Sequence, residues 1–277
     1  MNPNNKKEYL KKIFEDTYEM CKKSPLKDSV ESTIERTIIY NNPDWLFSKI
    51  TEGDKKYDST RISITKFRSL ESAMYFKRKN PDARVGLLNF ASATNPGGGV
   101  RNGSNAQEEA LCRCTTLLPC LETGFLKKKY YDFHRERHDT RYTSAVIYTP
   151  DIIAFKTDDF LPSLLPPKKW ETVDILSCAA PNLKEKHISD TELLALHEER
   201  AKNILSVACL HDIAILVLGA FGCGAFQNDP ETVAEAYKNI IPAFDGKFIE
   251  ISFAVYSTPR DKRNFDAFSK VLKNLVK

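Results

Sequence analysis

The sequence predicts an α/β protein in which helices cover both faces of a mixed central sheet, a three-layer α/β/α arrangement. Two observations carry this. From about Ile62 onward, short and nearly continuous apolar runs alternate with helical patterns. Such unbroken runs are expected of strands buried on both faces. Before that point the first 45 residues read as helix. The chain is therefore expected to divide into an N-terminal helical extension, residues 1–60, packed on a core of residues 61–277, the two making one structural unit.

In the extension, Tyr9, Leu10, Ile13, Phe14 and Tyr18 fall on one helical face. Pro25 breaks that helix. Val30, Ile34, Ile38 and Ile39 repeat the pattern in a second helix expected to stop near Asn41-Asn42-Pro43. In the core the expected strands are Val85–Phe90, Ala145–Thr149, Val173–Ala179, Ile213–Ala220 and Glu250–Val255. The expected helices are Ser69–Lys79, Ala106–Leu118, Asp190–Cys209, Glu231–Ile241 and Asp261–Val276. Asp158–Lys169, with Pro162, Pro166 and Pro167, reads as a surface loop. There is no internal repeat.

Composition bounds the function. The chain has 277 residues, 42% hydrophobic and 28% charged, enough for a sizeable core. Net charge of +4 permits a polyanionic partner without by itself arguing for nucleic acid. Seven cysteines without a CxxC pair, and a start (MNPNNKKEYLKK) lacking a signal-peptide pattern, predict a reduced, intracellular, cytoplasmic setting. The longest apolar run, Ile213–Phe221, is too short to span a membrane.

Two glycine-rich loops follow two of the buried strands: ASATNPGGGVRNG after Val85–Phe90, and FGCGAFQND after the strand IAILVLGA. Ligands of open α/β sheets bind at that carboxyl edge. Glycines there let backbone N–H groups approach an anion, and helix N-termini favour negative charge. A Walker loop is absent. The dinucleotide fingerprint fails twice, because Asn102 and Gln227 stand where its third glycine belongs. The alternative is a pair of tight left-handed turns with no ligand.

Glu108 and Glu109 fall in the first turn of the helix marked by Ala110, Leu111, Cys114, Leu117 and Leu118. Acidic residues there favour the helix dipole, and Ser104 with Gln107, or Asn105 with Glu108, makes a reasonable capping box. The functional alternative is acid–base work at an acetal carbon. Adjacent helical residues point about 100° apart. One carboxyl then moves the proton while the other holds a sugar hydroxyl. A helix N-terminus lowers a carboxyl pKa, whereas burial and a like charge raise it.

These residues also carry a resemblance. Gly97-Gly98-Gly99, seven residues, then Gln107-Glu108-Glu109 resembles the GGG-x(6–8)-QEE signature of poly(ADP-ribose) glycohydrolases. LNFASATNPGGGVRNGSNAQEEALCRCTTLLPCL, YTPDIIAF, SCAAPNL and LVLGAFGCGAFQNDP are similar to the microbial-type branch of that family. The resemblance implies a macrodomain fold and hydrolysis of ribose–ribose O-glycosidic bonds, releasing ADP-ribose without metal or cofactor. By motif position it implies Glu109 as the acid/base and Glu108 on ribose hydroxyls. Asn95 and the Gly97, Gly98 and Gly99 backbone hold the terminal ribose, with Gln107 among the binding residues. Gly222, Cys223, Gly224 and Ala225 form the diphosphate loop, and Phe226 presses on the terminal ribose. The implied partners are poly(ADP-ribose) or ADP-ribosylated protein, with no membrane, for a monomer. Two alternatives share the fold: a non-catalytic ADP-ribose reader, which has no need of the glutamate pair, and a hydrolase acting on single ADP-ribose units.

Other constellations read as structural. His134 and His138 have helical metal-ligand spacing, but Arg135 stands where a metalloprotease has glutamate, so surface histidines are expected. Cys112, Cys114 and Cys120 read as small buried side chains, while Cys223 in a phosphate loop is a candidate reactive thiol. Lys127–Lys129, with Arg135, Arg137 and Arg141, is interleaved with Tyr130, Tyr131 and Phe133. It reads as a solvated loop, with polymer binding as the alternative.

Overall fold

The computed structural model describes residues 3–41, 44–184 and 188–276. Among these, seven strands form one sheet: β1 Ile38–Tyr40, β2 Arg61–Thr65, β3 Val85–Phe90, β4 Val146–Ala154, β5 Glu171–Cys178, β6 Ile215–Leu218 and β7 Glu250–Ala254. Their order is β1-β4-β5-β3-β6-β7-β2. β4 runs antiparallel to β1 and β5, and the other pairings are parallel. The helices are α1 Pro3–Met20, α2 Leu26–Glu35, α3 Asp44–Glu52, α4 Ser69–Lys79, α5 Gln107–Cys114, α6 Leu117–Leu121, α7 Gly124–Leu126, α8 Phe133–Arg137, α9 Asp190–Leu210, α10 Pro230–Ile240 and α11 Arg263–Val271.

The apolar runs are continuous because each strand feeds two cores. Leu87, Ile175 and Val217 join Phe14, Leu70, Met74, Leu111 and Leu118 on the face covered by α1, α4, α5 and α6. Their neighbours Leu88, Leu176 and Leu216 join Leu46, Ile204, Val233 and Phe268 on the face covered by α3, α9, α10 and α11. Each such side chain taken fully out of water contributes about 1.5–3 kcal/mol.

The helical reading of Ile38 and Ile39 is corrected: α2 ends at Glu35, and both residues belong to β1. β1 pairs with Val146–Tyr148 of β4. A three-residue strand is too short to show alternation, and its partner lies more than 100 residues away in sequence. Residues 1–60 thus supply an edge strand as well as helices. β2 (RISIT) carries no strand signal of its own for a similar reason, being an edge strand paired with β7. β4 continues past Thr149, where a stop was expected, because a register shift between Thr149 and Ile152 accommodates Pro150 and leaves Asp151 at φ 53°. The helix expected over 106–118 breaks at Thr115, which is extended and bridges to Ala154. The expected stop of the second helix at Asn42-Pro43 lies outside the described residues.

Because β3 and β6 pair directly in parallel, the loops that leave their carboxyl ends are neighbours in space. The fold therefore makes one site from two sequence features 120 residues apart.

Candidate active site

The loop after β3 turns back on itself through Gly97 and Gly98 and delivers the chain to α5. Gly98 has φ 59°, a region an L side chain enters only at a cost. A Cβ there would lie 2.6 Å from Oε1 of Glu109 and 3.1 Å from Oε2 of Glu108. Those two oxygens are thus no more than 5.7 Å apart, the sum of the two distances. The glycine is required because both carboxyls close over it. Gly97 instead lies over Leu118 and Cys112, away from the cleft.

The two glutamates diverge from the first turn of α5. Glu109 turns toward the glycine loop, where Oε1 accepts the Gly99 N–H (2.9 Å) and Oε2 accepts the Ala106 N–H (2.8 Å). The capping register is therefore neither pairing anticipated above: Ala106 is the cap residue and Glu109 reaches back to it. Glu108 turns toward β3, where Oε2 accepts the Ser92 N–H (2.8 Å) and Oε1 faces the Asn89 amide at 3.4 Å. Both side chains are buried. Burial pushes the Glu108 carboxyl up to about 8; hydrogen bonding from Ser92 opposes this, and the neighbouring Glu109 adds to it. Gln107 is fully engaged by β3, accepting the Phe90 N–H (2.9 Å) and donating to the Leu88 carbonyl (2.8 Å). Its side-chain amide pins the helix to the strand, and the residue still lines the cleft. Asn95 is exposed at the rim, its carbonyl accepting the Gly98 N–H.

The loop after β6 forms the facing wall. Among the described residues, nothing accepts from the backbone N–H groups of Gly222, Gly224, Ala225 and Phe226, all of which line the cleft. Such a row of free peptide donors suits an anion. Asn228, fully buried, holds the loop in this form: its Nδ2 donates to Pro181, Gly222 and Phe226 carbonyls. Its Oδ1 accepts from His197 Nε2 (2.7 Å), which fixes that histidine as the neutral Nε2–H tautomer. Burial lowers the His197 pKa to about 3, consistent with a neutral ring. The Cys223 side chain packs into the core below the loop, and burial pushes its thiol up to about 12. That shift disfavours the thiolate form at neutral pH. Phe226 is half-buried, its ring 6.4 Å from that of Tyr142.

Together the loops and α5 enclose a cleft of ≈ 890 Å³ running from Arg68 and Tyr256 at one end to Asn95 and the glutamates at the other. The family described as microbial-type PARG, catalytic domain, matches this chain over residues 7–157, which include the whole glycine loop and α5. The chain belongs to the microbial-type PARG family. It is similar to the poly(ADP-ribose) glycohydrolase of Thermomonospora curvata, with 30% identity over 95% of this chain and 98% of that one and a TM-score of 0.85. The same enzyme bound to the inhibitor ADP-HPD matches at 31% identity over 94% and 98%, with a TM-score of 0.82. The Deinococcus radiodurans PARG in complex with ADP-ribose matches at 30% over 89% and 98%, with a TM-score of 0.78. No curated protein matches the chain.

In this PARG-family chain several site residues escaped sequence reasoning because their roles depend on distant partners. Arg113, on α5 itself, is buried, and its guanidinium donates to the Ser104 carbonyl and Asn105 Oδ1. Its own carbonyl accepts from Thr17 of α1 (2.6 Å). Gly103 abuts the α1 backbone, where a Cβ would meet the Lys7 carbonyl at 2.5 Å. Arg101 lies over Tyr18 and pairs with Glu122. The N-terminal helix thereby buttresses the loop between the glycines and the glutamates. At the other end of the cleft, the Arg68 guanidinium sits 4.6 Å over the Tyr256 ring, and Asp158 accepts the Leu70 N–H at the start of α4. No local sequence pattern marked this end, since Arg68 and Tyr256 follow two different strands and meet only in the fold.

The remaining sequence candidates resolve as structure. His134 is buried, not exposed as expected: Nδ1 donates to the Tyr130 carbonyl (2.8 Å) and Nε2 meets the Thr143 hydroxyl (3.0 Å). Its fellow His138 is exposed. Cys112, Cys114 and Cys120 are buried. Lys127–Lys129 lie on a short π-helix rather than a loop, with Tyr130 and Tyr131 buried beneath.

Proposed function

We infer that this chain is a poly(ADP-ribose) glycohydrolase that cuts the ribose–ribose O-glycosidic bond and releases ADP-ribose. The observation that carries the reading is the convergence of two carboxyls on Gly98, inside a cleft whose facing wall is a row of unpaired peptide N–H groups. One half suits an acetal carbon and the other a diphosphate.

The terminal ADP-ribose lies along the cleft. Its diphosphate takes the N–H groups of Gly222, Gly224, Ala225 and Phe226, and its distal ribose is held by Asn95, the Gly98-Gly99 backbone and Phe226. Tyr256, braced by Arg68, presents an exposed ring face to the adenine. Glu108, its carboxyl pKa raised by burial, donates to a ribose hydroxyl when protonated and accepts from one in either form. Glu109 protonates the leaving 2′ oxygen as the C1″–O bond breaks. The bound diphosphate stabilises the oxocarbenium-like centre, and water adds to C1″ as Glu109 recovers a proton. The N–H donors of Gly99 and Ala106 hold the Glu109 carboxyl in one orientation throughout, which limits reorganisation during the reaction.

The test is product analysis on defined polymer with the parent chain and Glu109→Gln. The parent is expected to release ADP-ribose, and the variant to bind ADP-ribose with parental affinity and lose cleavage. Binding without release by the parent would instead identify a reader. Release from mono-modified protein alone would identify a mono-ADP-ribosyl hydrolase. Undiminished polymer cleavage by the variant removes Glu109 from its role.

A further inference from the structure

Asn95 stands at a junction. It borders the main cleft and also a second, shallower depression of ≈ 470 Å³, walled by Thr94, Arg135, His138, Thr140 and Tyr142. The sheet topology places this depression. β4 is antiparallel to β5, with Ile147 opposite Ser177, so the segment that feeds the start of β4 lies at the carboxyl edge of β5. Along that edge the order is therefore Tyr256 and Arg68 beside β7 and β2, then the glycine loops after β6 and β3, then the depression beside β5 and β4. It continues the cleft past the carboxyls.

Its chemistry suits a nucleoside diphosphate. Arg135 is held by the Thr94 carbonyl and the Asp132 carboxylate, which leaves further guanidinium N–H groups for a ligand. His138 and Tyr142 are non-glycine residues at φ 50° and 55°, backbone strain that surrounding structure must sustain. The Tyr142 ring lies between those of His134 and Phe226 and is half-buried. The acidic member of the wall, Asp139, is paired with Arg141. The segment 127–141 carries six Lys or Arg against three acidic residues, and buried Tyr130 and Tyr131 fix it to the core. Of these basic residues Arg135 lines the depression, and the others lie on the segment around it.

We propose that this depression is a second subsite, holding the adjoining ADP-ribose unit of the polymer on the far side of the bond being cut. The pyrophosphate of that unit lies against Arg135 and His138, and its adenosine lies against Tyr142. The proposal rests on the glycohydrolase reading. A polymer longer than one unit gains contacts here that free ADP-ribose does not make, and part of that gain is electrostatic and salt-sensitive.

The experiment compares the parent chain with Arg135→Gln, His138→Gln and the double variant. It measures KM on length-fractionated poly(ADP-ribose) at two salt concentrations, and ADP-ribose affinity by calorimetry. Expected is a KM for polymer raised about 5–10-fold in the double variant, with shallower salt dependence and ADP-ribose affinity within twofold of parent. His138→Gln, which removes no contact to the Thr94–Asn95 backbone, is expected to show part of the effect alone. Parental KM in all three variants overturns the subsite. So does an equal loss of ADP-ribose affinity, which would place the effect in the Asn95 loop. A defect on mono-modified protein but not on polymer gives the surface to the modified protein instead. Failure of the parent itself to release ADP-ribose from polymer is a different result, and it removes the glycohydrolase reading.

Discussion

Gly98→Ala tests whether the glycine loop and the glutamates are one device. The added Cβ meets Oε1 of Glu109 at 2.6 Å and Oε2 of Glu108 at 3.1 Å, with φ at 59°. Holding alanine in the left-handed region costs about 1–2 kcal/mol. To reach an ordinary carbon–oxygen contact, Oε1 must retreat by roughly 0.7 Å, which stretches its 2.9 Å bond from the Gly99 N–H beyond hydrogen-bonding range. Losing that bond to a buried carboxyl adds about 1–3 kcal/mol. The combined destabilisation of about 3 kcal/mol lowers the melting temperature by roughly 5–10 °C in a domain of this size. The catalytic effect is larger in proportion, since a displacement near 1 Å at a reacting group can cost about 100-fold. Thermal denaturation and the rate of ADP-ribose release on polymer measure the two. Gly124→Ala, where a Cβ meets nothing within 4 Å, is the control expected to alter neither. A folded Gly98→Ala protein with parental turnover would refute the claim that the carboxyls work from the position in which this loop holds them.

Two further outcomes follow from the same geometry. Glu108→Gln should change how stability depends on pH. Between the ordinary carboxyl value of 4.5 and about 8, folded Glu108 keeps a proton that the unfolded chain gives up, so parental stability falls as pH rises through that window and levels off above it. The full effect is bounded at about 5 kcal/mol, and water reaching the cleft reduces it. The melting temperature of Glu108→Gln relative to parent should rise from pH 5 to pH 8, and a difference that stays constant with pH contradicts the raised carboxyl. Gly224→Ala should leave stability unchanged, because nothing lies within 4 Å of the new Cβ, yet weaken ADP-ribose binding about tenfold by standing where the diphosphate approaches. Parental affinity, measured by calorimetry, would move the diphosphate off this loop.

What the sequence determined by itself was whatever depends on short spacing. The five long strand runs were legible because strands buried on both faces have no polar alternation to confuse them. The glycine loops and Glu108-Glu109 were legible because a tight turn and a helix start are local events. Tertiary structure decided the rest. β1 and β2 became strands only through partners far along the chain. His134, an exposed histidine by its neighbours, is buried by a fold that brings Thr143 to its ring. Arg113 and Asn228 lie in segments that carry the resemblance, yet their roles, like that of His197, are set by carbonyls or side chains that the fold brings to them. Which carboxyl faces β3 and which faces the glycine loop was also beyond the sequence. That division follows from burial and from the direction of backbone N–H groups, and both exist only once β3 and β6 stand side by side.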